Sequence, residues 1–218
     1  MTDRIIKSIL GINKETPVLV CIDGVDGSGK TYFARTLTNE IQSIYKDVVL
    51  CSVDNFHNHM EIRYQKGKDS HVGFYEDSYN YSKLISNLLE PFKKGRGVFI
   101  DSIFDVDNNI PTIVTPKAVS KSSILIVEGI FLQRPELSEF WDLKIFLDVD
   151  FQTTLNRNIN RQVDKKRIGH KEEIIFKYKT RYLPGQKLYF SQAAPKKNAD
   201  IVIDNSDYKN PIILKFKI

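Results

Sequence analysis

Eight residues near the N-terminus have the types and spacing of a phosphate-binding loop. Residues 24–31 read Gly-Val-Asp-Gly-Ser-Gly-Lys-Thr, which matches G-x-x-x-x-G-K-[ST], and they follow the apolar run at residues 18–22. In such a loop the glycines let backbone N–H groups point at one anion, Lys30 adds a cation at the β- and γ-phosphates, and Thr31 can ligate Mg²⁺. The pattern predicts a nucleotide site formed by Gly24, Asp26, Gly27, Ser28, Gly29, Lys30, Thr31 and Tyr32.

Two acidic residues directly follow apolar runs that we interpret as strands. Glu128 ends the run at residues 124–127, and Asp54 comes just after the run at residues 48–52. Because ligands of parallel sheets bind beyond the carboxyl ends of the strands, we expect both acids near Thr31. Glu128 is placed to direct Mg²⁺, and Asp54 is placed to accept the proton of an attacking hydroxyl or to order the water around the metal.

Apolar runs alternate with helical patterns along the chain, which indicates an α/β fold with a parallel sheet covered on both faces. The predicted strands are 18–22, 48–52, 97–104, 123–127, 143–147 and 201–203. The predicted helices are a short amphipathic one at the N-terminus, one after Thr31, and those at 81–89, 151–163 and 172–182, of which 81–89 ends before Pro91 and 172–182 ends before Pro184. Residues 55–80 lack a clear core pattern, so we expect a substrate-binding insertion there.

The predicted helix at residues 151–163 carries a stripe of cations. Arg157, Arg161 and Lys165 share one face, about half a turn from the apolar stripe of Leu155, Ile159 and Val163. Such a stripe is usually a solvated face. Beside a phosphate-binding loop, Arg157 and Arg161 become candidates for meeting phosphate charge.

Composition limits the classes of protein that fit. The 218 residues suit a single domain, and 32 Lys and Arg against 27 Asp and Glu give a net charge of +5, which fits nucleic acid and phosphorylated small molecules equally well. No apolar run reaches the roughly 18 residues of a membrane span. Cys21 and Cys51 lie inside apolar runs. We therefore expect buried thiols in a cytoplasmic protein without a membrane partner.

Several segments, in chain order, resemble the uridine kinase-like branch of the phosphate-loop kinases. They are the loop, Ser-Val-Asp-Asn-Phe-His at 52–57, Ile-Val-Glu-Gly-Ile-Phe-Leu at 126–132, Phe-Trp-Asp-Leu at 140–143, the arginine-rich helix, and Ala-Asp-Ile-Val-Ile at 199–203. The resemblance runs from about Leu19 to Asn205. It implies a three-layer α/β/α phosphate-loop NTPase fold with a five-stranded parallel sheet.

The resemblance also implies an activity. It is the transfer of the ATP γ-phosphate, with Mg²⁺, to a hydroxyl of a nucleoside such as uridine or cytidine, or of a similar small molecule. By the resemblance Asp54 is the catalytic base, Glu128 helps to hold Mg²⁺, and residues 157–171 form a lid whose Arg157 and Arg161 stabilise charge in the transition state. The partners that we expect are small molecules and not nucleic acid, and a homo-oligomer stays open.

The sequence departs from the uridine kinase pattern where the acceptor should bind. Uridine kinases carry an Asp that holds the ribose hydroxyls, whereas Gly-Phe-Tyr-Glu-Asp-Ser-Tyr at 73–79 offers aromatic residues and no clear counterpart. His57, Arg63 and Tyr75 lie around that gap and are the predicted substrate contacts. A different hydroxyl metabolite or a nucleoside monophosphate is therefore an alternative acceptor. An alternative of another class is a nucleotide-hydrolysing switch, although the Asn-Lys-x-Asp motif of guanine switches does not follow the loop.

Overall fold

The computed structural model describes residues 1–217, and its centre is a sheet between helices. The strands are β1 (Val18–Gly24), β2 (Val48–Ser52), β3 (Val98–Phe99), β4 (Phe104–Asp105), β5 (Ile110–Pro111), β6 (Lys117–Ala118), β7 (Ile124–Gly129), β8 (Leu143–Asp148), β9 (Ile201–Asp204) and β10 (Ile212–Phe216). The helices are α1 (Thr2–Leu10), α2 (Lys30–Ile44), α3 (Met60–Arg63), α4 (His71–Asp77), α5 (Tyr81–Leu84), α6 (Glu90–Lys94), α7 (Pro135–Ser138), α8 (Phe151–Asn160), α9 (Gln162–Arg167), α10 (Lys171–Lys177), α11 (Leu183–Ala193) and α12 (Pro195–Asn198).

The central sheet has the strand order β10-β9-β8-β1-β7-β2. Strand β1 lies in the middle and pairs in parallel with β7 and β8, and β2 and β9 extend the parallel part to five strands. The predicted parallel α/β sheet is therefore confirmed. Strand β10 was not predicted: it pairs antiparallel with β9 at the edge of the sheet. All parallel strands end at the same rim, where the phosphate-binding loop follows β1.

Side chains that alternate along β1 build two different cores. Val18, Val20 and Ile22 face an aliphatic core together with α1 and α2. Leu19 and Cys21 face an aromatic core that includes Phe131 and Tyr189. Alternate residues of a strand point to opposite faces, so these two cores are the two faces of one sheet and the molecule has three layers.

The predicted strand at residues 97–104 is wrong. Only its ends are extended, and they pair in two small antiparallel sheets, β3 with β6 and β4 with β5. Polar residues in the middle of the run take other partners: Lys117 Nζ donates to Asp101 Oδ2 at 2.6 Å, and Ser102 Oγ lies 2.9 Å from Thr112 Oγ1. A strand in a sheet that is covered on both faces needs a continuous apolar run.

Two helices continue past the prolines that were expected to end them. A π-helical turn at Ile85–Leu89 joins α5 to α6, and Pro91 lies two residues after it; a second turn at Tyr178–Tyr182 joins α10 to α11 in the same way, before Pro184. In a π-turn the backbone N–H bonds to the carbonyl five residues back, as Glu90 N does to Ile85 O. Pro91 has no N–H, and in an α-helix its ring would clash with the carbonyl four residues back. The carbonyl of Asn87, four residues before Pro91, accepts instead from Ile100 N at 2.9 Å.

Two further elements border the phosphate-binding loop. Residues 55–80 contain α3 and α4, whose Phe74 and Tyr75 join the aromatic core. The predicted helix at 151–163 is broken at Arg161, which is extended with ψ 129°, so that α8 and α9 are separate. Within residues 1–217 no helix combines the length and the apolar character needed to cross a membrane.

Candidate active site

The loop after β1 has the backbone shape of a phosphate cradle. Gly27 and Gly29 have φ values of +78° and +92°, which other residues rarely adopt. A Cβ on Gly27 would lie 2.5 Å from Asn158 Oδ1, and one on Gly29 would lie 2.7 Å from Asn205 Nδ2. The buried Ser28 Oγ has no hydrogen-bond partner among residues 1–217, and Lys30 begins α2, whose N-terminus favours an anion. The loop therefore fits a phosphate chain.

Lys30 is a buried cation surrounded by acids. Its Nζ donates to the Val25 carbonyl at 2.8 Å. Burial lowers the pKa of Lys30, and the charges of Asp26 and Glu128 oppose that shift. A phosphate would give this ammonium group a stronger acceptor than the carbonyl that it contacts here.

The two residues that were predicted to direct a metal, Thr31 and Glu128, contact each other. Thr31 Oγ1 donates to Glu128 Oε2 at 3.2 Å, so the first turn of α2 meets the end of β7. Burial raises the pKa of Glu128, while the charge of Lys30 lowers it. Residues 1–217 contain no group of three or more acid, His or Cys side chains that could hold a metal ion alone. One hydroxyl and one carboxylate suit Mg²⁺, which usually keeps several waters and binds substrate phosphates.

Asp54 lies at the same rim, in a 3₁₀ turn that follows β2. Ser52 Oγ caps this turn by accepting from Asp54 N at 3.3 Å. The Asp54 side chain is 52% exposed, and its Oδ1 accepts from Tyr79 OH at 3.0 Å. The carboxylate is therefore oriented by Tyr79 and still open to a ligand.

The predicted lid arginines contact the loop from α8 and the break after it. Arg157 donates to the carbonyls of Gly27, Asn205 and Ser206 at 3.1, 2.8 and 2.8 Å. Arg161 Nη1 lies 3.2 Å from Asp26 Oδ1. The cationic stripe of α8 is thus not simply solvated, because both guanidinium groups reach the loop.

One cavity of about 380 Å³, the phosphate-loop cavity, is lined by most of these predicted residues. They are Asp26, Gly27, Gly29, Lys30, Thr31, Tyr32, Asp54, Glu128, Arg157 and Arg161. Gly24 and Ser28 do not line it, since Gly24 closes β1 and Ser28 is fully buried. An apolar cavity of about 650 Å³ adjoins the loop and is lined by Tyr32, Phe33, Tyr208 and Pro211.

The three predicted substrate residues lie in two different environments. His57 and Arg63 line a basic cavity of about 400 Å³, which we define by Arg63, Lys166, Arg167, Lys177 and Arg181. Burial lowers the pKa of His57, so the ring is neutral at pH 7. Tyr75 lines none of these cavities: its ring is 2% exposed and packs 5.2 Å from Phe131 and 4.1 Å from the Arg134 guanidinium. The structure gives Tyr75 a packing position and no open path to a substrate.

Several residues that shape the site were not predicted. Gln186 and Asn158 hold Asp26, through its backbone N–H at 2.7 Å and its carboxylate at 3.1 Å. Asp23, just before the loop, is fully buried and accepts from Gly24 N, Gln133 Nε2 and Tyr189 OH. A local signal exists for Asp23, because it is the acid that ends the apolar run before the loop. Asn158 and Gln133 lie at distant positions that no spacing rule selects.

Comparisons with known proteins identify the family of this chain. A family model described as the phosphoribulokinase / uridine kinase family matches residues 19–210. The chain is 25% identical over 195 residues to a uridine kinase of Ureaplasma parvum serovar 3, covering 88% of this chain and 90% of that protein. It is 27% identical over 220 residues to a uridine kinase of Saccharomyces cerevisiae, covering 93% of this chain and 40% of the yeast protein.

Solved structures share the fold. The structure of a possible uridine kinase from Bacillus stearothermophilus matches with a TM-score of 0.70 at 24% identity, covering 92% of this chain and 96% of that one. A D-glycerate 3-kinase from Cryptococcus neoformans var. grubii matches with a TM-score of 0.59 at 11% identity, covering 98% and 96%. At these identities the likeness establishes the architecture of the sheet and its helices.

Proposed function

Because the chain belongs to the phosphoribulokinase and uridine kinase family, we propose that it transfers the γ-phosphate of ATP to a hydroxyl group of a small molecule, with Mg²⁺. One observation supports this proposal above the others. The loop cation Lys30, the Thr31–Glu128 pair and the open carboxylate of Asp54 line the same phosphate-loop cavity. On this proposal, the phosphates, the metal and the proton acceptor share one volume of about 380 Å³.

The donor nucleotide is proposed to bind across two neighbouring cavities. Its phosphates lie along the loop beside Lys30, and its base enters the adjoining apolar cavity beside Tyr32 and Tyr208. Arg157 and Gly29 line both cavities, which joins the two halves of the nucleotide site. Thr31 and Glu128 would hold Mg²⁺, which supplies positive charge to the phosphate oxygens.

Each polar group of the site has a role in the proposed transfer step. The acceptor oxygen forms a bond to the γ-phosphorus, the bond from that phosphorus to the β–γ bridging oxygen breaks, and ADP leaves with the electron pair. The proton of the acceptor hydroxyl passes to Asp54, whose carboxylate Tyr79 orients. Lys30, Arg157 and Arg161 meet the negative charge on the transferring group, where preorganised cations lower the barrier.

Uridine and cytidine are the first acceptors to test, because uridine kinase is the name of the relatives described above. A different hydroxyl metabolite or a nucleoside monophosphate is the alternative acceptor. A nucleotide-hydrolysing switch is the alternative of another class, and it requires no open carboxylate beside the loop. The exposure of Asp54 favours the transferase.

The test is an assay of ADP release with purified protein, ATP and Mg²⁺, with and without added acceptor. We expect ADP release to depend on a hydroxyl compound and the phosphorylated product to appear in equal amount by mass spectrometry. Hydrolysis at the same rate with no acceptor, across nucleosides and other hydroxyl metabolites, would contradict the proposal and favour the switch.

A further inference from the structure

The basic cavity contains far more positive than negative charge. Five cations line its volume of about 400 Å³, namely Arg63, Lys166, Arg167, Lys177 and Arg181. Asp107 is the acid that lines it, and His57 adds no charge at pH 7 because burial lowers its pKa. A cavity of this size holds a small metabolite, and its field favours an anion.

Two of the five cations already have partners inside the protein. Arg181 is 3% exposed and donates to four backbone carbonyls, those of Arg63, Gly67, Lys68 and Ser70. Arg167 forms an ion pair with Asp107. The hydrogen-bonding capacity of Arg181 is therefore largely used within the protein, and the charge of Arg167 is paired with Asp107.

The remaining cations are open to a ligand. In the part of the chain that the structure describes, Arg63 Nε is buried without a hydrogen-bond partner, and the same guanidinium makes one bond, from Nη2 to Asn109 Oδ1 at 3.3 Å. A buried donor without a partner costs free energy, which an incoming acceptor would recover. Within residues 1–217, Arg63, Lys166 and Lys177 form no ion pair with a carboxylate. Lys177 Nζ lies 5.3 Å from the centre of the Tyr64 ring, whose face attracts but does not neutralise it.

The basic cavity adjoins the proton acceptor. His57 lines it, and His57 Nδ1 lies 2.8 Å from the Asp54 carbonyl oxygen and 3.9 Å from Asp54 Oδ1. Arg167 and Asp107 line both the basic cavity and a neighbouring cavity of about 400 Å³ that contains Asp54 and Glu128. A small molecule with one end among the open cations can therefore bring its other end towards Asp54.

A neutral sugar would find few acceptors for its hydroxyl groups here. The acid of the cavity, Asp107, is already paired with Arg167. Asp77, on the segment that was expected to contact the acceptor, is 9% exposed, lies 3.0 Å from Lys66 Nζ and lines neither cavity. A neutral ligand would also leave the open cations without compensation.

We propose that the phosphate acceptor is an anionic hydroxyl compound, whose carboxylate or phosphate group binds Arg63, Lys166 and Lys177 while its hydroxyl lies at Asp54. This rests on the transferase function proposed above and specifies its substrate class. A guanidinium with a free Nε suits an oxyanion because it donates along a fixed direction from a planar group. Uridine, which carries no such group, is a poor acceptor on this proposal.

The charge of the acceptor can be determined even though its identity is unknown. Small molecules from a lysate of the expression cells are separated on an anion-exchange resin at neutral pH, and each fraction is assayed for ADP release with the wild-type protein, ATP and Mg²⁺. Uridine is assayed in parallel. We expect activity in the retained, anionic fraction. Prior phosphatase treatment of the extract abolishes activity if the anion is a phosphate ester and spares it if the anion is a carboxylate.

Substitutions connect that activity to the cavity. Arg63→Gln should lower kcat/KM for the retained fraction about tenfold to a hundredfold, mainly through KM, because the anion is bound alike before and during transfer. Arg63→Lys should recover part of the loss, and Arg96→Gln, an exposed arginine on the loop after α6, should change nothing. Asp54→Asn should instead act on kcat.

The results that would overturn the proposal are of two kinds. Activity confined to the unretained fraction, or uridine turnover with kcat/KM above about 10⁴ M⁻¹s⁻¹ that Arg63→Gln leaves intact, would refute the anionic acceptor and keep the transferase. No activity in either fraction and none with uridine would refute the transferase, and the acceptor class with it.

Discussion

Asp54 differs from the other acids of the phosphate-loop cavity in its surroundings. Glu128 is 5% exposed and bonded to Thr31, and Asp26 is held by Asn158 and Arg161. Asp54 has one side-chain donor, Tyr79, and a half-exposed carboxylate. Of these three acids it is therefore the one that is free to take a proton from a ligand.

Replacing Asp54 tests this role directly. Asp54→Asn keeps the size and the hydrogen bond from Tyr79 but removes the base, so we expect kcat to fall by about 10² to 10⁴, with the affinity for ATP nearly unchanged. Steady-state kinetics and calorimetric titration with ATP measure the two quantities. Asp3→Asn, on the exposed side of α1, is the control. Full turnover by Asp54→Asn would remove Asp54 from the mechanism.

Lys30 gives a separate prediction about nucleotide binding. Its ammonium is the cation built into the loop, and within residues 1–217 its one hydrogen bond is to the Val25 carbonyl. Lys30→Ala should lose most of the affinity for ATP while the far-UV circular dichroism stays that of the wild type. Lys83→Ala, at an exposed position on α5, should bind ATP normally. If calorimetry gives the same dissociation constant for Lys30→Ala and the wild type, the loop is not the phosphate site.

The residue types of the site were predictable where a local rule exists. Lys30 and Thr31 follow from the loop motif, and Asp54 and Glu128 follow from the ends of parallel strands. Tyr75 packs in the aromatic core, because the distance along the sequence from a gap does not determine which way a ring points. Tyr79, four residues later, reaches Asp54 instead. Contacts that join distant segments, such as Gln186 to Asp26, have no local pattern to reveal them.

At the level of elements, sequence periodicity located the strands of the central sheet but did not show where helices and strands are interrupted. The run at 97–104 is apolar enough for a strand, yet Asp101 and Ser102 in its middle bond elsewhere. Prolines 91 and 184 were expected to end helices, and the π-turns that accommodate them leave no clear mark in the sequence. The break at Arg161 could not be predicted for a similar reason, because no glycine or proline marks it in the sequence.

Arg157 and Arg161 lie on either side of the start of that break and have different contacts. Arg157, inside α8, donates to the Gly27 carbonyl of the loop and lines both the phosphate-loop cavity and the adjoining apolar cavity, whereas Arg161, at the break, contacts carboxylates. Arg161→Ala should lower kcat/KM by roughly 10² and raise the dissociation constant of ATP much less, as expected for charge met in the transition state. Arg157→Ala should affect both.

Lys165→Ala provides the matched control for the two arginines. Lys165 belongs to the same cationic stripe but lies on α9 and lines none of the described cavities. Its kinetics should equal those of the wild type. Losses of equal size in kcat/KM and in ATP affinity for Arg161→Ala would reduce that residue to a ground-state binding group.

On the scale of the whole molecule, one buried carboxylate connects the layers beneath the active site. Asp23, at the end of β1, accepts from Tyr189 OH on α11 and from Gln133 Nε2 on the segment after β7, the latter at 3.1 Å. The sheet, a covering helix and the aromatic core thus meet at a group that is 0% exposed. The ionisation state of Asp23 should therefore affect the free energy of unfolding of the whole protein.

Burial raises the pKa of Asp23 from 3.8 to about 6, although its three hydrogen bonds oppose the shift. The folded state therefore binds this proton more readily than the unfolded state, so the contribution to stability is complete below about pH 4 and is lost as the pH rises through 6. A shift of this size corresponds to about 3 kcal/mol. Between pH 4 and pH 7, the free energy of unfolding of the wild type should fall by up to that amount relative to Asp23→Asn.

Urea denaturation of both proteins across this range measures the difference, and subtraction cancels the acids that they share. Asp150→Asn is an informative control because hydrogen bonds from Thr153 lower the pKa of Asp150, at the N-cap of α8. The free energy of unfolding of the wild type should rise relative to that of Asp150→Asn as the pH rises from acid values. This change is opposite in sign to the one expected for Asp23. A wild-type minus Asp23→Asn difference that stays constant from pH 4 to pH 7 would show that Asp23 keeps an ordinary pKa despite its burial.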